Sequence, residues 1–74
     1  MEIKVEFNDD VKKSLKQIVE QVNSLEGRIP EQVIEPMFKL HNKIFKIQEF
    51  NKGCGICRNR VFGRLQTLYN EKVL

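Results

Sequence analysis

Apolar and polar residues alternate over residues 2–7, EIKVEF: Ile3, Val5 and Phe7 point one way, Glu2, Lys4 and Glu6 the other. That is the period of a half-buried strand. No other stretch of the chain repeats it, so the strand lacks a partner for its ladder hydrogen bonds. Two arrangements would satisfy it. The segment pairs with a second copy or another protein, or it lies as an extended arm on the helices of its own chain.

The period then changes. Asn8, Asp9 and Asp10 supply an N-cap and acids for a first turn. Val11, Leu15, Ile18, Val22 and Leu25 follow at spacings of four, three, four and three, and Val19 widens the stripe. This predicts an amphipathic helix that Gly27 ends. Pro30 then suits the first turn of a second helix. There Val33, Met37, Leu40, Ile44 and Ile47 form one stripe, and Ile34, Phe38, His41 and Phe45 form another beside it. So broad an apolar arc predicts a central helix with two neighbours. Pro36 predicts a kink in it or a later start, and Lys39, Lys43 and Lys46 fall on its wet face. After the break FNKGCG, Cys57, Val61, Leu65 and Leu68 line one face of a third helix, with Phe62 and Tyr69 beside them. The expected fold is all-α: one domain over residues 1–74, with an extended or single-strand arm at 1–7. Its three helices run over about 9–26, 30–50 and 54–72.

A 74-residue domain has a thin stability margin, usually supplemented by disulfides, a metal or a partner. No apolar run approaches the roughly 20 residues that span a bilayer, and MEIKVEF has no continuous apolar segment of a secretory signal. Two cysteines are too few for a secreted disulfide scaffold. A soluble, cytoplasmic protein is expected. Lys, Asn and Ile supply 22 of the 74 residues and Ala is absent, so helices are built without the best helix former. That points to an A/T-rich genome. Charge is also uneven. Residues 1–35 hold eight acids and five bases, a net −3; residues 36–74 hold two acids and eight bases, a net +6. An acidic partner or a polyanion would be drawn to the second half.

The segment NKGCGICRNRVFGR, residues 51–64, concentrates the candidate chemistry. Cys54 and Cys57 have the spacing of a zinc knuckle, of a dithiol redox pair, and of two positions on one helix face. Zinc wants four ligands and this motif supplies two. The single histidine, His41, lies mid-helix, and an antiparallel third helix would set it opposite the Leu65 region instead of Cys54. Thioredoxin-type redox chemistry rests on a βαβ scaffold that this chain is too short to build. The expected role is packing: the cysteines extend the Val61, Leu65, Leu68 stripe by a turn, as small hydrophobes, and no cofactor is expected, with zinc on Cys54 and Cys57 as the alternative. Gly53 and Gly55 shape the entry to the helix. Gly63 costs about 1 kcal/mol relative to Ala, so it is expected to serve a close approach.

Three of the four arginines, Arg58, Arg60 and Arg64, fall in the same segment, whereas positive charge elsewhere is mostly Lys. Arg grips phosphate or carboxylate with two donors. With Lys52 they form a candidate contact surface for a protein partner or an anion. Arg60 and Arg64 are expected to flank the core stripe with their heads outward. The apolar arm, through Ile3, Val5 and Phe7, is a second candidate contact. His41 is expected in the core or at its boundary, with no Ser, Asp or paired carboxylate placed to make it catalytic.

The closing pattern, Cys54-x-x-Cys57-Arg58-x-Arg60-Val61-x-x-x-Leu65-x-x-x-Tyr69, resembles the ends of short proteins encoded by tailed bacteriophages. The resemblance implies a phage accessory, assembly or virion component. These features together lead to an expectation of a non-enzymatic interaction protein that associates with itself or a protein partner, and not with a membrane. The alternative is a small basic regulator that binds nucleic acid through Arg58, Arg60 and Arg64.

Overall fold

A computed structural model describes residues 3–26 and 28–73. It holds three helices: α1 (Asp9–Ser24), α2 (Glu31–Ile44) and α3 (Gly55–Lys72). The domain is all-α, as its periodicity predicts.

The start of α1 follows from its sequence. The Val11 N–H donates to Asn8 Oδ1 at 3.0 Å, and Asp9 and Asp10 occupy the first turn, where carboxylates face the positive end of the helix. The helix ends at Ser24. Glu26 takes the left-handed backbone (φ 58°) in the turn that follows, a conformation costly for a residue with a Cβ. Gly27, the expected terminator, lies outside the described residues. Leu25 leaves the stripe at this turn and is 42% exposed, contrary to its expected place in the core.

Pro30 stands just before α2 as its N-cap instead of within the first turn, and the Val33 N–H donates to its carbonyl at 2.9 Å. Pro36 lies inside α2, which runs on through it. The helix stops at Ile44, short of the expected residue 50. The cause is a set of competing hydrogen bonds. Asn42 Oδ1 accepts from the Glu49 N–H (2.9 Å), Asn42 Nδ2 donates to the Glu49 carbonyl (2.8 Å), and Gln48 Nε2 donates to the carbonyls of Asn42 (3.0 Å) and Phe45 (3.3 Å). These bonds fold the link 45–54 back on the last turn, which satisfies backbone groups a continuing helix would have used. Ile47, expected on the core stripe, is 47% exposed as a result.

Phe45 turns extended (ψ 150°), and this opens the end of α2 to the N-terminal arm. The Lys4 N–H donates to the Ile44 carbonyl at 2.7 Å, and Ile3 makes an isolated antiparallel bridge with Phe45. Ile3, Val5 and Phe7 are partly buried and pack against the core. Of the two arrangements open to the arm, the intrachain one is present.

The core draws Val11, Leu15, Ile18, Val19 and Val22 from α1; Val33, Ile34, Met37, Phe38, Leu40 and Ile44 from α2; Phe45; and Val61, Leu65, Leu68 and Tyr69 from α3. Every helix touches both others, so α2 is one side of a triangle and not a central element. Tyr69 Oη donates to Glu20 Oε2 at 2.8 Å, tying α3 to α1. Two side-chain contacts join α2 and α3: Arg58 Nη2 lies 3.6 Å from Glu31 Oε1, and Arg64 Nη1 lies 3.0 Å from His41 Nε2, beside Leu65 where the sequence sets it. The folded-back link holds ten residues between Ile44 and Gly55.

Gly63 serves no close approach. A Cβ there would meet nothing within 4 Å. It borders an open groove of about 530 Å³ with Ile3, Phe45, Arg60 and Thr67.

Candidate functional site

The link and the first half of α3 bring most of the polar chemistry of the chain together, in two adjoining clusters. The first is centred on His41, which is completely buried. Its Nε2 lies 3.0 Å from Arg64 Nη1 and its Nδ1 lies 2.9 Å from Asn42 Oδ1. A guanidinium only donates, so Nε2 accepts. The ring proton therefore sits on Nδ1 and is donated to Asn42. The same Arg64 nitrogen donates to Glu49 Oε2 at 3.0 Å, and Arg60 Nη1 reaches that oxygen at 3.4 Å. The Phe45 ring lies against the imidazole, 5.1 Å between centroids.

The electrostatics follow from these contacts. Burial lowers the His41 pKa below that of a free imidazole, and the Arg64 charge pushes the same way; the Asn42 bond and Glu49 oppose them. The hydrogen bond from Arg64, joined by Arg60, holds the Glu49 carboxyl below the usual carboxylate range. His41 is thus a neutral acceptor that helps to seat Arg64. It matches the expected core histidine.

The second cluster is the start of α3. Cys54 is the N-cap, and its Sγ accepts the Cys57 N–H at 3.3 Å. Cys57, one turn on, packs against the core from a partly buried position. The packing role expected of both cysteines therefore holds for Cys57, whereas Cys54 caps. Among the described residues no group of three or more His, Cys, Asp and Glu side chains is placed to hold a metal ion, and both ring nitrogens of His41 are already engaged.

The arginines depart from the outward-facing surface expected of them. Arg64 has its side chain only 19% exposed, between His41 and Glu49. It links the link to α3 from the inside. Arg58 Nε donates to the Lys52 carbonyl, and its Nη2 lies 3.6 Å from Glu31 Oε1. Arg60 is the freest of the three, 47% exposed. The expectation overlooked the carboxylate on the link. Glu49 is one of only two acids after residue 35, and that scarcity among so many bases was the available signal.

Sequence reading also passed over two exposed apolar side chains. Phe50 is 76% exposed and Ile56 is 72% exposed. They stand on either side of the turn in which the Lys52 N–H donates to the Phe50 carbonyl (3.0 Å) and the Cys54 N–H to the Asn51 carbonyl (3.3 Å). Among the described residues no helix is long and apolar enough to cross a membrane. No protein family, curated protein or solved structure matches this chain.

Proposed function

We propose that this is a non-enzymatic interaction protein whose contact surface is the turn between α2 and α3, with Phe50 and Ile56 as its apolar anchors. The observation that carries the reading is the exposure of those two side chains, 76% and 72%, on a turn held by its own backbone hydrogen bonds. Large apolar groups held in water favour association, and aromatic anchors are typical of contact centres. The cationic surroundings, with Lys52 in the turn itself, suit a partner that combines an apolar patch with acidic residues. The resemblance of the closing segment to short phage proteins adds the context of an assembly or accessory role, in the cytoplasm or in a virion.

Two of the three arginines of the rival nucleic-acid reading are committed to carboxylates within the chain, Arg58 to Glu31 and Arg64 to Glu49. That weighs toward a protein partner. The test is photo-crosslinking in the cell of origin, with the reactive residue placed at position 50 or, as a control, at the exposed position 12. Specific protein adducts from position 50 alone, abolished by Ile56→Asp, are expected. Equal labelling from both positions would overturn the proposal. So would binding that depends steeply on salt and survives Ile56→Asp, because release of counterions from phosphate contacts produces that behaviour.

A further inference from the structure

We infer that Cys54 and Cys57 form a dithiol that exchanges with disulfides, Cys54 attacking and Cys57 resolving. This goes beyond the contact surface proposed above and stands without it. The geometry supplies three requirements of such a pair. The first is an activated sulfur. Cys54 is the N-cap of α3, and its Sγ accepts the Cys57 N–H. It therefore faces the open amides and the positive end of the helix, a setting that favours thiolate. The second is a resolving thiol within reach. Cys57 is one helical turn on, its backbone N–H already reaches Cys54 Sγ, and neither sulfur is in a disulfide. The third is access. Both residues are partly exposed, a Cβ built on the intervening Gly55 would meet nothing within 4 Å, and Ile56 points into solvent.

The order of attack follows from the capping amide, which Cys54 Sγ accepts at the helix start. The thiol of Cys57, then its backbone N–H, holds Cys54 below the ordinary range of a thiol, and the Arg60 charge contributes in the same direction. Cys57 is pushed up, chiefly by donating to Cys54. The balanced reaction takes a disulfide RSSR as oxidant. The Cys54 thiolate attacks one sulfur, its S–S bond breaks, and RS⁻ leaves and takes up a proton. Cys57 then loses its proton and attacks Cys54 Sγ, which expels the second RS⁻. The chain is oxidised by two electrons to the Cys54–Cys57 disulfide, and RSSR is reduced to two RSH. This needs no βαβ scaffold, only the capped helix start.

The experiment exposes the reduced protein to oxidised glutathione at neutral pH, quenches with acid, alkylates, and follows the products by mass spectrometry. Wild type should lose both thiols and carry no stable adduct. Cys57→Ser should stop at a glutathione mixed disulfide on Cys54. Cys54→Ser should react more slowly, at least about tenfold, since its remaining thiol does not occupy the N-cap position that favours thiolate. Ser is a good N-cap, so this variant keeps its helix, checked by circular dichroism. A peptide cyclised by a disulfide, used in place of glutathione, distinguishes a protein source of the disulfide from a small-molecule one by which reacts faster. Equal rates for the two single variants would overturn the inference. So would stable adducts on both cysteines of the wild type, or a co-purifying zinc ion that blocks exchange until it is chelated.

Discussion

Replacing Arg64 with Met separates a structural arginine from a surface one. The substitution keeps a long apolar stem to cover the core edge and removes only the guanidinium. Its consequence falls on His41. Nε2 has no access to water, and Arg64 is its donor at 3.0 Å. A buried acceptor left without a donor costs about 1–3 kcal/mol, and the loss of the bridge to Glu49 adds to that. Stabilities near 0.05–0.15 kcal/mol per residue place a domain of this length at roughly 4–11 kcal/mol, so the loss is a large fraction of the total. At about 4–8 °C per kcal/mol for a small domain, the midpoint should fall by roughly 5–25 °C. Arg60→Met is the control. Its side chain is 47% exposed and its contact is 3.4 Å, so about 0–1 kcal/mol is expected. Urea unfolding of both variants, followed by far-ultraviolet circular dichroism at pH 7.5, reads the difference at an unchanged slope. If Arg64→Met stays within about 0.5 kcal/mol of wild type, as an ordinary surface substitution does, the imidazole is not relying on that donor, and the account of the cluster fails.

Two further outcomes are expected. His41 is the only histidine and its folded pKa lies below the unfolded value of about 6.5. Between the two the unfolded chain binds more protons, so stability should be level above about pH 7 and decline as the pH falls through 6.5; the depressed Glu49 carboxyl adds a separate loss only below about pH 4.3. Urea midpoints that do not change between pH 7 and 5.5 would refute the neutral, accepting imidazole. Gly63→Ala should stabilise the domain by about 0.5–1 kcal/mol, because the added methyl meets nothing within 4 Å; a lower thermal midpoint would show that the groove beside it closes on Gly63 in solution.

The helices were legible because their causes are local. Apolar residues at spacings of three and four define α1 and α3, and Asn8 and Cys54 each satisfy an open amide three residues on. The buried state of His41 was legible too, since it sits between Phe38 and Phe45 on one stripe. The end of α2 was not. The apolar spacing continues through Ile47, and only the side-chain bonds from Asn42 forward to Glu49 and from Gln48 back to Asn42 and Phe45 stop the helix at Ile44. The arm's partner depends on that same stop, because the Ile44 carbonyl accepts from Lys4 only where the helix no longer uses it. Helix periodicity likewise placed Arg64 beside the core stripe, but whether its head met water or a carboxylate depended on the path of the link that carries Glu49. Spacing along the chain is a property of neighbours a few residues apart. The choice between two satisfied states for a carbonyl, a guanidinium or an arm is decided by groups far away in sequence, 15 residues in the case of Glu49 and Arg64, which only the packed structure brings within hydrogen-bonding distance.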